Sequence, residues 1–314
     1  MGKLQPVARS FAAGLLLFLT MQMSQSCIKE DLSGCENEEL LLYVKVVDVV
    51  TGVDITGTGE MQSAGLYVFN RNKDHIRTYT LSALQIAQRE PVIIHDYDPA
   101  GMWISAWGNI GDEVLCSEMG EGATADDLTV SLKPDPLHPG YDLAPNDFFF
   151  ARKEVQGNNN LQNREEIVFT QKNAKLQVTV RGLKDTNAAS YYFEIVNKFH
   201  GYDYRGVPVS QITHRQEKGI FNSREELVSP IPWLFIHSAN QNQATEEQSV
   251  WVHLYKEGSG EIIQTNRDIH GNYITLLSGK TTNVLIDLTG GDQGQFIVQV
   301  VISPWDEIHQ WEHW

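Results

Sequence analysis

The chain has 314 residues and a formal net charge of −16, from 24 basic and 40 acidic side chains, and it carries three cysteines. A surface this acidic repels nucleic acid and anionic lipid headgroups, which argues against both as direct partners. The length is generous for one domain and comfortable for two.

The first residues carry the three parts of a secretory signal. Lys3 and Arg9 supply the positive start, and Phe11 to Met21 is an apolar run of eleven residues, short of the roughly 20 needed to span a bilayer. Ser24, Gln25 and Ser26 then lead to Cys27. A cysteine at the cut, after small residues, is the pattern of a lipoprotein, whose thiol is acylated and whose chain then begins at that cysteine. The competing reading is an ordinary signal peptide (residues 1–26) with Cys27 nearby by chance; Ser24 stands where Leu or Val is usual. Each buried methylene of an acyl chain contributes roughly 0.8 kcal/mol, and two or more chains anchor stably. Cleavage before Cys27 removes Lys3 and Arg9 and no acid, which takes the net charge from −16 to −18. Residues 27–39 then form a charged tether. Its Lys29-Glu30-Asp31 run is similar to a surface-export signal, or is simply a solvated linker. Cys35 and Cys116 are left as a pair, either a disulfide or two part-buried thiols.

From Leu40 the sequence reads as strands. Leu40 to Val50 is nearly continuous in Leu and Val, which suits a strand covered on both sides. Leu66 to Phe69 is a second strand, stopped by the polar turn Asn70 to Asp74, with Thr78 to Thr80 returning. Leu81 to Arg89 is the only helical candidate of this half. Val92 to His95, Met102 to Trp107 and Leu128 to Leu132 follow as strands. Lys133 to Asp147 holds four prolines, Pro134, Pro136, Pro139 and Pro145, and is read as irregular. Phe148 to Arg152 is a short apolar segment. Gln156 to Asn163 has no apolar period, so the domain boundary is placed there, giving an N-terminal domain over 40–158 and a C-terminal domain over 159–314.

The second half restarts as β with Glu166 to Thr170. Lys175 to Arg181 alternates most cleanly, with Leu176, Val178 and Val180 inward and Lys175, Gln177, Thr179 and Arg181 outward. Tyr191 to Val196, Val250 to Tyr255, Tyr273 to Leu277, Val284 to Leu288 and Phe296 to Ile302 complete the strands. Tyr202 to Gln248 reads as turns and short pieces. The whole is an all-β chain at sandwich-like spacing.

Residues that carry chemistry are sparse. His309 and His313 lie four apart near the C-terminus, a helical zinc spacing, but no further ligands accompany them, and the plainer reading is a tail whose tryptophans pack on the sandwich. Asp135, Asp142 and Asp147 sit in the proline-rich stretch as weak calcium candidates or solvated acids. Gly258, Gly260 and Gly279-Lys280 have the wrong spacing for a phosphate loop. No G-x-S-x-G elbow is present. Trp103, Trp107, Trp233 and Trp251 are sugar-stacking candidates or core residues. No enzyme activity, cofactor or metal is expected.

Read together, these residues resemble the FimB-type fimbrillin-associated anchor lipoproteins, minor fimbrial proteins of Gram-negative anaerobes. The likeness is carried by Cys27 with Lys29-Glu30-Asp31-Leu32-Ser33-Gly34-Cys35, by Leu66-Tyr67-Val68-Phe69, by Trp103-Ile104-Ser105-Ala106-Trp107-Gly108, by Ala174 to Leu183, and by the closing strand with Trp305. It covers nearly the whole chain after the leader, through the order and spacing of these motifs. The resemblance implies two transthyretin-like β-sandwich domains in tandem. It also implies a lipid anchor in the cell outer membrane, exposure at the base of a fimbrium, and a shaft subunit (fimbrillin) as partner. Such an anchor would hold the shaft by strand addition and help limit fibre length. The strand Phe296 to Ile302 is the candidate edge by its position. The runner-up is a surface glycan-binding lipoprotein of a polysaccharide-uptake system.

Overall fold

The computed structural model describes residues 39–95, 101–155, 164–185, 187–229, 233–236, 244–289, 296–305, 307 and 309–311. Cys27, Cys35, the tether up to residue 38 and the expected boundary near residue 160 lie outside them. The chain is all-β, as the strand spacing predicts.

The first core grows from alternating apolar residues. β1 (Leu40–Val46) buries Leu40, Leu42, Val44 and Val46. It stops four residues short of the expected Val50 because the Asp48 carboxylate accepts the N–H groups of Val50 and Thr51 and the Thr51 hydroxyl, which bends the chain. β2 (Ser63–Asn70) and β3 (His75–Ser82) form a hairpin, whose turn is held by Asn70 Oδ1 accepting from the N–H groups of Asn72 and Asp74. Ser82 then caps α1 (Ala83–Ala87), which inserts Ile86 into the core. β4 (Val92–Ile94), β5 (Met102–Gly108), β8 (Phe149–Val155) and β9 (Arg164–Gln171) complete a seven-stranded sheet in the order β3-β2-β5-β8-β9-β1-β4. β8 and β9 meet at only two residue pairs, Phe149–Gln171 and Phe150–Thr170. Residues of both wings share one core, so the sheet folds over on itself at that corner. Strands on the two sides of residue 160 therefore belong to one sheet.

The second core lies between two six-stranded sheets. In one, β10 (Asn173–Arg181) runs parallel to β18 (Lys280–Asp287), which pairs with β19 (Ile297–Pro304). On its other side β10 meets β14 (Leu227–Val228) and β15 (Trp233–Ile236), and β14 carries β13 (Ile220–Phe221). In the other, β11 (Tyr191–Asp203) is flanked by β12 (Pro208–Lys218) and by β16 (Trp251–Lys256), which carries β17 (Gly260–Thr265). Leu176, Val178 and Val180 face this core as expected. The outward Gln177 and Thr179, expected in solvent, are buried, because Ser229 and the C-terminal tail cover that face. Tyr273 to Leu277 is not a strand. Its backbone makes only isolated bridges, Arg267 with Tyr273 and Ser249 with Thr275, while Ile274 N–H donates to Asn266. The stretch read as short pieces contains the eleven-residue β12, whose mostly exposed side chains give no apolar alternation.

β11 ties the halves together. Its first part pairs with β16, and Gly201 to Asp203 pair with β7 (Thr129–Leu132), which carries β6 (Val114–Cys116). The contact is close: a Cβ on Gly201 would lie 2.2 Å from the Val130 carbonyl oxygen and 2.8 Å from Ser131 Cα. Around it Trp107, Val130, Leu132, Phe148, Tyr202 and Ile236 form a core of their own. The Trp107 ring lies 4.5 Å from Phe150, 5.5 Å from Tyr202 and 6.3 Å from Phe148. The Tyr202 hydroxyl donates to the Lys172 carbonyl at 2.5 Å. The Lys172 ammonium lies over the Phe150 and Tyr202 rings, and burial pushes it down to about 8, against the pull of Asp203.

Stability measurements test this joint. Gly201→Val drives a side chain into Val130 and is expected to lower the free energy of urea unfolding by roughly 3 kcal/mol. Gly57→Ala, with open space around its Cβ, is expected to stay within about 0.5 kcal/mol. For Lys172 the depressed value means that the folded state releases its proton before the unfolded chain does. Wild type should therefore gain stability relative to Lys172→Met as pH rises from about 8 toward the ordinary lysine value near 10.4. Unfolding measured on both proteins across that range checks the sign; a flat or falling difference contradicts it.

Candidate functional site

Among the described residues no cluster of His, Cys, Asp or Glu could hold a metal ion, and the sheet edges are the candidate surfaces. The first sheet ends on β3 and β4, and α1 joins them with Ile86 in their core. The second ends on β19, whose residues Ile297, Val298, Val300, Val301 and Ile302 are β-branched, the side chains that favour a pleated surface. Along one side β19 pairs with β18 from Ile297 to Pro304. On the other, among the described residues, no strand pairs with it. The Ile269 N–H donates to the Val298 carbonyl at 2.8 Å from that side. Backbone groups alternate sides along an antiparallel strand, so Val300 and Ile302 also turn theirs away from β18. Pro304, without an N–H, ends the usable edge.

Beside this edge lies a cavity of about 580 Å³, lined by Asp268, Asn272, Tyr273, Thr275, Val300 and Ile302 among others. Its wall is a stiff loop. Asp268 Oδ1 accepts from the N–H groups of His270 and Asn272, both at 2.8 Å, and Oδ2 accepts from the Asn272 side chain at 2.9 Å. Burial raises the Asp268 carboxyl, but these hydrogen bonds outweigh it and hold the group below its ordinary value. Arg267 lies 3.9 Å over the Tyr273 ring and donates to its hydroxyl and to the Gly271 carbonyl. An open edge beside a pocket suits an added strand: main-chain bonds satisfy the edge, and an alternate side chain fills the pocket.

Among the described residues singled out in the sequence, Asp135 and Asp142 line one cavity and the others lie apart from it. Cys116 is half-buried, its Sγ 3.0 Å from the Tyr67 hydroxyl, and burial pushes its thiol up. Cys27 and Cys35 are outside the described residues, as is His313. His309 stands edge-on to Trp311 at 4.7 Å, in a segment that is not helical. Asp135 is engaged by His138 at 2.7 Å and Asp142 by His200 at 3.5 Å, while the Asp147 carbonyl accepts from Asn109. Trp107 is buried in the joint, Trp103 lies under the Arg152 guanidinium at 4.6 Å, and Trp251 is half-buried beside His253. The Trp233 side chain lies outside the described part. The loop from Asn266 to Thr275 was not legible as a wall; its Asp268 to Asn272 turn chemistry was its one signal.

Removing that turn is expected to loosen the wall without unfolding the protein. Asp268→Ala should cost about 1 kcal/mol and speed hydrogen exchange at the His270 and Asn272 amides, leaving β18 unchanged.

The chain is similar to several known proteins. A profile of the family described as fimbrillin-A associated anchor proteins Mfa1 and Mfa2 matches residues 32–311. The major fimbrium anchoring subunit FimB of Porphyromonas gingivalis is 24% identical over 316 residues, covering 97% of this chain and 98% of that protein. Among solved structures, the fimbrial anchor protein Mfa2 of Porphyromonas gingivalis superposes with a TM-score of 0.62 at 14% identity, over 84% of this chain and 98% of its own. A candidate polysaccharide-binding protein of Bacteroides thetaiotaomicron gives 0.63 at 14% identity, over 86% and 98%. At such identities the structural likeness concerns the fold.

Proposed function

This chain belongs to the family of fimbrillin-A associated anchor proteins Mfa1 and Mfa2, and on that premise we propose that it holds the base of a fimbria at the cell surface. Cys27 carries the lipid that ties it to the outer membrane, and residues 27–39 serve as the tether. The folded part binds the shaft subunit by strand addition and, by fixing the first subunit, helps limit fibre length. The observation that carries this reading is the unpaired, β-branched edge of β19 at Val300 and Ile302 beside the Asp268–Tyr273 cavity. Unpaired edges of this kind are templates for another strand.

The competing reading, a glycan-binding surface lipoprotein, needs ring faces open to solvent. Among the described indoles, Trp107, Trp305 and Trp311 are buried and Trp103 and Trp251 half-buried, which favours the edge over an indole platform.

The test separates tether from edge. Cys27→Ala should move the protein and its attached fibres into the medium. Val300→Pro deletes one edge N–H, which an edge strand tolerates; it should leave membrane retention intact and cut co-purified shaft subunit at least tenfold. Undiminished capture by Val300→Pro would remove β19 from the interface, and membrane retention of Cys27→Ala would remove the lipid.

A further inference from the structure

The segment after β19 stays on the molecule. The Glu307 N–H donates to the Pro304 carbonyl at 3.1 Å, which turns the chain, and the tail then lies against the outer face of the sheet containing β10, β18 and β19. That face carries buried polar side chains: Gln177, Thr179, Thr281, Asn283 and Ser303. Buried polar groups require partners, and several of these find theirs in the main chain of the tail. Thr281 Oγ1 and Lys175 Nζ both donate to the Trp305 carbonyl, at 2.9 and 3.3 Å. Ser303 Oγ donates to the Glu307 carbonyl at 2.6 Å. Asn283 Oδ1 accepts from the His309 N–H at 3.2 Å, and Arg224 Nη1 donates to the Trp311 carbonyl at 2.9 Å. Asn283 is itself held by Nδ2 donating to Ser303 Oγ at 3.0 Å.

Among the described tail residues, Trp305 and Trp311 have buried side chains. Trp305 is buried with the Lys175 ammonium 4.1 Å from its ring, and Trp311 is 8% exposed. Glu307, His309 and Gln310 face solvent. Cavities of about 710 and 380 Å³ flank the tail, and His309, Gln310 and Trp311 line both. The tail therefore divides what is otherwise one trough. Reading at Trp305, Glu307, His309 and Trp311 goes through backbone atoms, which tolerates many sequences, and the two indole seats supply selectivity.

We propose that this outer face is a peptide-binding trough, occupied by the chain's own C-terminal tail and able to take instead a partner segment with two aromatic side chains at the Trp305–Trp311 spacing. The site is distinct from the β19 edge and does not rest on the anchor reading. A tethered tail competes at an effective concentration on the order of millimolar, so a free peptide meets a largely filled site. Weakening the resident tail must then improve binding of the free peptide, which a purely structural tail does not predict.

The probe is a fluorescent peptide with the sequence of residues 303–314, added to the purified protein and followed by anisotropy. Trp311→Ala in the protein should tighten its apparent affinity at least tenfold over wild type. Adding Asn283→Ala to that variant should abolish the gain. Hydrogen exchange gives a second readout on unmodified protein: the His309 amide should exchange far faster than β18 amides, through local release of the tail. Absence of tightening in a cooperatively folded Trp311→Ala protein overturns the proposal. So does loss of cooperative folding in that variant, or a His309 amide that exchanges only with global unfolding, since either makes the tail a fixed part of the core.

Discussion

Everything about this molecule depends on how closely β11 approaches β7. Only a residue without a Cβ allows the Val130 carbonyl to reach the backbone at Gly201. Once it does, Tyr202 falls against Trp107 and Phe148 and its hydroxyl caps the Lys172 carbonyl. The first half thereby lends β6 and β7 to a sheet of the second half. Aromatic contacts of this kind contribute beyond their buried area, and they join two sandwich cores that each close on their own alternating Leu, Val and Ile residues.

That joint also determines what is left over. With its cores filled and its halves fastened, the protein leaves a β-branched edge at Val300 and Ile302 that no described strand covers. The tail beyond Pro304 lies on the face of the same sheet rather than along its edge. An anchor in a fibre needs such a division: a fixed body, a satisfied interior, and a line of main-chain groups offered to a neighbour.

Much of the fold was legible in the sequence, for physical reasons that also explain the failures. β10 was readable because Leu176, Val178 and Val180 face one core, and β5 because Met102, Ile104 and Ala106 do the same. The end of β1 was misplaced because Val49 and Val50 look like strand residues, while Asp48 two positions earlier dictates a turn. Tyr273 to Leu277 failed in the same way, since burial of Ile274 and Leu276 reflects a loop packed inward. β12 left no pattern, because it gains its hydrogen bonds from β11 and buries little. At the candidate site, the β-branched run of β19 was visible and its placement by position held as an edge. Its exposure on one side, and the cavity wall beside it, depend on which strands come to neighbour which, and no local pattern encodes that. The buried Gln177 and Thr179 carried a polar signal that pointed to solvent; only the returning tail reverses it.

The central claim is that the outer edge of β19 is the surface that meets the fibre. Amide hydrogen exchange on the protein, alone and mixed with the shaft subunit proposed as its partner, tests it directly. The account predicts new protection at Val300 and Ile302, with the β11–β7 joint unchanged. Protection confined to the β12 or β17 edge, with β19 exchanging as in the free protein, contradicts it.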